Sequence, residues 1–260
     1  MESRVVHQRR EVLAFSAKHI RRINAVAKDK TEHWIQTKLV PMVEKGEPFD
    51  VGKEMIGITL NAIAETAFEY TLSDDEKSIF LHELELCQRR NSLKEIFANP
   101  LRCLLAGLLI PERRRAFVGL KIHHHYQRQA HPTKGTIIDL VANNDAYEND
   151  EERSADIILL LIAGHDTTGY TMAWILKELA KNPKDQRRLP DTLRASDSNK
   201  WGQSEYLRNV VKEGIRLRPV SARGPFRRIG RDFETKEGYL LPKNSIICAA
   251  VLTMMRDEDV

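Results

Sequence analysis

The run "LLLIAGHDTTGYTMAWIL", from Leu159 to Leu176, sets Gly164, His165, Asp166, Thr167, Thr168 and Gly169 in the middle of an apolar helical pattern. Glycine, aspartate and threonine are mediocre helix formers, so their clustering there needs a local reason. Gly164 removes a side chain and lets a flat or bulky group approach the backbone. Thr167 sits four residues after Ala163 and can donate to its carbonyl, which loosens or bends a helix. Asp166, if buried, needs a partner or a proton. A groove, a hydroxyl and a carboxyl together form a site for delivering protons to a bound ligand. The same residues also suit a packing notch where another helix crosses, with Asp166 bonded to neighbouring backbone. The residues alone leave both readings open.

Two further groups have chemistry-bearing types. Glu213 and Arg216 stand three apart and share a helix face, a spacing at which surface ion pairs are common and weak. His165 and Asp166 form an adjacent His-Asp pair of the kind metal-dependent phosphohydrolases use, and His123, His124 and His125 are candidate additional ligands. No downstream helix offers a convincing further aspartate, and the triple histidine reads as a solvated helix end, so no metal site is expected. Cys87, Cys103 and Cys248 are far apart and lack metal-ligand spacing or a disulfide framework. A reduced state is the default.

The elements that must position these residues follow from punctuation and periodicity. Apolar residues at helical spacing run through residues 3–40, and Pro41 is expected to stop that helix. Asp50 caps a second helix through Tyr70, and Ser73 caps a third. Pro100 and Pro111 bracket a short apolar segment, too short to span a bilayer, and a long basic helix follows. After the acidic hinge "ANNDAYENDEE" the interrupted helix begins near Ser154 and ends before Pro183. At about 28 residues it is on the order of 40 Å long, so its midpoint is expected in the interior. A loop covers 190–203, and a helix then runs to Pro219. Short β-prone runs at 226–229, 238–240 and 245–252 alternate with the turns "TKEG" and "PKN". The expected fold is mainly α with a small β region. It forms a single domain over 1–260, helical through 220 and β from 221.

Apolar content of 42% and charged content of 30% describe a soluble globular chain. A net charge of +4 is too small to imply nucleic acid, and no nucleic-acid partner is expected. Basic residues concentrate in 1–30 and 208–231, two segments able to form one anion-facing surface. The N-terminus is charged and lacks the apolar core of a signal peptide.

"AGHDTT", then "KEGIRLRP", then "FRRIGRD…GYLLPKNS" together resemble the cytochrome P450 family of heme-thiolate monooxygenases. "AGHDTT" fits the family pattern of Ala or Gly, Gly, any residue, Asp or Glu, Thr, Thr or Ser. "EGIR" fits its Glu-x-x-Arg. The resemblance implies a partial cytochrome P450 fold built around a long central helix. It also implies heme b, dioxygen, a small organic substrate, and a reductase or ferredoxin as redox partner docking on the basic segments. Ala163, Gly164 and Thr168 would then lie on the heme and oxygen side. Thr167 would hold water in the helix groove, and Asp166 would relay protons. Glu213 and Arg216 would form a buried fold-setting pair with a further partner from a later loop. Arg227, five residues before Asp232, matches an arginine that meets a heme propionate. "HQRREVLAFS" is similar to a family helix in which His7, Phe15 and Ser16 fall in place, but Gln8 stands where a propionate-binding arginine is expected, with Arg9 beside it.

The family's cysteine ligand lies in a glycine- and phenylalanine-containing loop well after Glu-x-x-Arg, and none of the three cysteines here sits in such a loop. The sequence is therefore read as a fragment, truncated at both ends and inactive as it stands, with the strand at 245–252 left as an exposed apolar edge. A non-catalytic helical remnant is the alternative. Membrane attachment through an N-terminal anchor upstream stays open; otherwise the cytoplasm is the expected location.

Overall fold

The computed structural model describes residues 17–90, 112–130, 133–224 and 226–257. Two compact units divide it, Met1–Gly169 and Tyr170–Val260.

The first unit is helical: α1 (Ala17–Trp34), α2 (Val40–Lys45), α3 (Val51–Phe68), α4 (Asp74–Arg90), α5 (Glu112–Gln127), α6 (Ile137–Ala142) and α7 (Asp150–Lys181), whose C-terminal part belongs to the second unit. Pro41 does not stop the first helix as expected. The chain widens into a π-helical segment, Ile35–Leu39, and continues as α2 with Pro41 in its opening turn. A proline has no N–H and crowds the carbonyl four residues back, and the wider π turn just before it accommodates both effects. Gly46, at φ +66°, supplies the left-handed cap that ends α2.

Caps set the next two helices as the sequence predicts. Asp50 accepts from the Lys53 amide at 3.1 Å. Ser73 and Glu76 form a reciprocal capping box: the Glu76 amide donates to the Ser73 hydroxyl at 3.2 Å, and the Ser73 amide donates to the Glu76 carboxylate at 3.0 Å. Glu76 also accepts from Lys121 of α5 at 2.8 Å and from the Tyr70 hydroxyl at 2.9 Å. Burial pushes its pKa up, but Lys121, Ser73 and Tyr70 outweigh burial and hold it at about 2. The α3 helix ends at Glu69 in the left-handed region, φ +53°, where its carboxylate accepts from Arg22 of α1 at 2.8 Å and from the Thr133 amide at 3.2 Å.

The core gathers one face each of α3, α4, α5, α6 and α7: Leu60, Phe68, Phe80, Ile122, Ile138, Ile157 and Leu161, among others. Each such side chain contributes roughly 1.5–3 kcal/mol by leaving water. Helix α7 has 32 residues and starts at Asp150, four residues earlier than expected, because Asn149 accepts from the Glu152 amide at 2.9 Å. Its buried positions, Ser154, Ile157, Leu161, His165, Gly169 and Ala173, recur every three or four residues and form one stripe. Ala155, Leu159, Ala163, Thr167 and Thr168 are exposed. The expectation of an interior midpoint is thus corrected: only one face of the middle is interior.

The second unit follows α7 with α8 (Pro183–Arg194), a 3-10 turn (Ser198–Gln203), α9 (Glu205–Leu217), β1 (Phe226–Arg228), β2 (Phe233–Glu234), β3 (Leu240–Leu241), β4 (Ile246–Cys248) and α10 (Val251–Met254). The loop expected at 190–203 is instead largely helical, with Pro190 inside α8. Strands β1 and β4 pair antiparallel with Arg227 opposite Ile247, and β2 pairs with β3 with Phe233 opposite Leu241. Gly238 and Asn244 take positive φ in the two turns. The strand expected over 245–252 ends at Cys248, and the Leu252 amide donates to the Ala222 carbonyl at 3.0 Å from within a helical turn.

Gly119 is where α5 meets α7. A Cβ there would lie 2.4 Å from the Ser154 hydroxyl and 2.7 Å from the Ser154 carbonyl oxygen, and backbone cannot give way as a side chain can. Gly119→Ala is therefore expected to lower stability by about 1–3 kcal/mol in denaturant titrations, despite alanine's better helix propensity.

Candidate functional site

The six residues that interrupt α7 separate onto two faces. Gly164 does not open toward a ligand as the sequence suggested. A Cβ there would lie 2.7 Å from Ile63 Cγ1 and 2.9 Å from Ile63 Cδ1, so the space is filled by α3. Gly169 is similar: its Cβ position lies 2.9 Å from the Ile56 Cα and 2.9 Å from the Thr59 hydroxyl. Two glycines five residues apart receive the ridge Ile56, Thr59 and Ile63. For these two positions the packing-notch reading holds.

His165 lies between them and is 0% exposed. Its Nδ1 is 2.6 Å from the Leu161 carbonyl oxygen, an acceptor, so Nδ1 carries the proton. Among the described residues the buried Nε2 has no hydrogen-bond partner, and the ring meets Phe80 of α4 edge-on at 5.6 Å. Burial pushes the imidazole below its usual 6.5, while the Leu161 carbonyl and the Asp166 charge act weakly in the other direction. The residue at the variable position of the motif is thus the most deeply packed of the six.

Ala163, Thr167 and Thr168 are exposed on the other side. The Thr167 hydroxyl donates to the Ala163 carbonyl at 2.9 Å, the back-bond its spacing predicts. One turn before them stands Leu159, 61% exposed on a helix whose opposite face is core. Leu159, Ala163 and Thr167 make a narrow apolar strip with one hydroxyl, about 12 Å long. Asp166 lies at the edge, half-buried. Among the described residues it forms no hydrogen bond, so the expected bond to neighbouring backbone is absent. Burial raises its pKa above the usual 3.8, and neighbouring His165 opposes this only slightly because it is itself held neutral.

Glu213 and Arg216 pair as the sequence predicts, with two parallel bonds at 2.7 Å and 2.8 Å. They are not buried: their side chains are 53% and 45% exposed. The buried residue of α9 is Gly214, seated against Ile175, which turns Glu213 and Arg216 outward. Arg216 does gain a third contact, donating to the Met255 carbonyl at 2.9 Å, and Arg256 donates back to the Leu217 carbonyl at 2.6 Å. Arg227 is exposed on β1 and donates to the Phe226 carbonyl at 3.0 Å. His7 lies outside the described residues. An open groove of about 240 Å3 between the C-terminal part of α7 and α9 is lined by Ile175, Leu179, Tyr206, Val210 and Leu217 together with Glu213 and Gly214, and by none of the six residues that interrupt α7. Among the described residues no group of His, Cys, Asp and Glu is placed to hold a metal ion, and His123 turns inward, 1% exposed, rather than lying in solvent as expected. The phosphohydrolase reading therefore has no support.

The Cytochrome P450 family model matches residues 6–260. The chain is 26% identical to Cytochrome P450 71B34 of Arabidopsis thaliana over 94% of its own length and 54% of that protein. It is 28% identical to geranylhydroquinone 3''-hydroxylase CYP76B74 of Arnebia euchroma over 83% of this chain and 49% of that one. A crystal structure of a cytochrome P450, CYP102L1, superposes with a TM-score of 0.71 at 20% identity, covering 95% of this chain and 61% of that one. The chain belongs to the cytochrome P450 family, a mainly helical partial form of its fold, and it spans about half the length of the curated relatives it matches. The family implies a heme cofactor. No helix among the described residues is long and apolar enough to cross a membrane.

Thr59, Ile56 and Ile63 escaped the sequence reading. Their one signal was a hydroxyl inside the otherwise apolar stretch "MIGITLNAIA".

The buried neutral His165 has a pH consequence. Its folded-state pKa is depressed, so the unfolded chain takes up the proton first, near 6.5, and stability falls as pH drops below that value until the folded state also titrates. His165→Leu is expected to flatten the loss of stability between about pH 7 and 5, by up to about 1.4 kcal/mol per pH unit. Denaturant midpoints across that range measure it; an unchanged slope would show that burial does not shift the titration of His165 on folding.

Proposed function

We propose that this chain is part of a monooxygenase that uses heme b, dioxygen and electrons from a reductase or ferredoxin to oxidise a small organic substrate. In that reaction one oxygen atom enters a C–H bond and the other leaves as water, consuming two electrons and two protons. Family membership supports the reading, and so does the strip Leu159, Ala163 and Thr167. It is an apolar, small-residue surface with a single hydroxyl, and it fits the face of a macrocycle. Heme, when bound, supplies the site at which dioxygen is reduced.

The residues of the strip have distinct tasks in this reading. Leu159 and Ala163 exclude water from the heme side. Thr167, exposed and anchored to the Ala163 carbonyl, sits where a water molecule in the helix groove would be held. Asp166 holds a proton more readily than a solvated carboxyl because burial raises its pKa, which suits a general acid feeding that water. Thr168 adds a second exposed hydroxyl beside Thr167. Gly164, whose Cβ direction is filled by Ile63, keeps its heme-side role by resemblance alone. Arg227 keeps most of its guanidinium donors for a propionate, and His7 holds its part by resemblance alone. Glu213 and Arg216 fix α9 to the Met255 turn. Both units are read as parts of one cytochrome P450 domain. Arg21 and the exposed Arg208, Lys212, Arg228 and Arg231 offer cations to an acidic redox partner.

Heme loading followed by a carbon monoxide difference spectrum of the reduced protein tests the reading. A heme absorption band on loading is expected; a thiolate-type band in addition would require Cys87, Cys103 or Cys248 as ligand, and none of them sits in the family's ligand loop. Failure to take up heme would contradict it and favour a non-catalytic helical role.

A further inference from the structure

The Thr59 hydroxyl oxygen lies 2.9 Å from the His165 carbonyl oxygen of α7, and also 2.9 Å and 3.1 Å from the Met55 and Ile56 carbonyl oxygens of its own helix. One hydroxyl proton serves three acceptors, so the bond is shared between the helices. Gly169, with no Cβ, permits this approach: any side chain there would collide with the same hydroxyl at 2.9 Å. In the α-helical ladder the His165 carbonyl is also the acceptor of the Gly169 amide. Opposite, the Thr167 hydroxyl adds a donor to the Ala163 carbonyl at 2.9 Å. Two carbonyls of one turn therefore each carry a hydroxyl besides their ladder partner, one from the packed face and one from the exposed face. An extra donor draws a helical carbonyl outward and lengthens its ladder bond.

We propose that Thr59 is a positioning residue for the oxygen-handling face of α7: its hydroxyl, reaching through the gap at Gly169, holds the turn from Ala163 to Gly169 loosened and fixes the rotation at which Thr167 and Asp166 are presented. The functional half of this rests on the monooxygenase reading above. The structural half does not. Thr59 touches no reacting group and acts through the α7 backbone.

Thr59→Val keeps the shape and removes the hydroxyl; Thr59→Ser keeps the hydroxyl. Amide hydrogen exchange of the segment 165–169 separates loosening from simple adhesion. If Thr59 loosens the turn, Thr59→Val returns the His165 carbonyl to Gly169 and exchange slows about fivefold, the net worth of one neutral hydrogen bond. A bond that only joins the two helices gives the opposite sign, faster exchange, and faster or unchanged exchange overturns the proposal. Thr59→Ser should match the wild type. In the heme-loaded protein, with ferredoxin and its reductase as electron donor, the peroxide released per dioxygen consumed should rise in Thr59→Val and return to the wild-type ratio in Thr59→Ser. A ratio that rises in Thr167→Val but not in Thr59→Val overturns the positioning role. A ratio that changes in neither variant refutes the oxygen-handling reading itself, and the exchange measurement then still decides whether Thr59 loosens the turn.

Discussion

The seating of the α3 ridge in the two-glycine groove of α7 determines where the rest of the first unit can go. The Ile63 side chain fills the space at Gly164, and at Gly169 the Ile56 backbone and the Thr59 hydroxyl come closer than any Cβ would permit. That approach fixes which way α7 is rotated. Once it is fixed, His165 must enter the core against Phe80, Leu161 and Ile157 must join the cluster with Ile122 and Phe68, and Ala163 and Thr167 must face outward. Dispersion and close packing act here along the segment 56–63, and a change of one methyl group is felt because the interior has no slack.

The same constraint answers why poor helix formers gather in the middle of α7. Glycine costs up to about 1 kcal/mol in a helix interior relative to alanine. At Gly164 and Gly169 the loss is offset by contact with α3. At Thr167 the weak propensity has a different origin, a hydroxyl that bonds its own backbone. A hexapeptide that reads as one motif is physically two sets of residues, interleaved because a helix turns about 100° per residue. One set determines the packing, and the other faces away from α3.

Much of the helical frame was legible because its signals are local. Asp50 and Ser73 announce their helices through side-chain bonds to amides three residues ahead, and Thr167 announces its back-bond by spacing alone. The misses involve partners distant in sequence or competition between local rules. Pro41 read as a stop because a π segment that absorbs a proline has no simple sequence signature. Gly164 read as a ligand notch because nothing in "AGHDTT" tells whether Ile63, a hundred residues earlier, will fill it. The depth of Glu213 and Arg216 was misjudged for the same reason: helix periodicity says that they share a face, and only the contact of Gly214 with Ile175 says that the face is outward. The thermodynamic role of His165 likewise depends on its burial against Phe80, which is not visible in a histidine's immediate neighbours.

The two-face account of α7 stands or falls on whether Gly164 and Ile63 occupy one space. A double-mutant cycle in stability measures it: Gly164→Ala, Ile63→Ala and the pair together. The added methyl should destabilise the wild type by about 1–3 kcal/mol, and the same change made with Ile63 already shortened should be neutral or stabilising, a strong coupling between the sites. Additive effects would mean that Gly164 faces something other than α3, and the division of the motif into a packing side and a chemical side would be wrong.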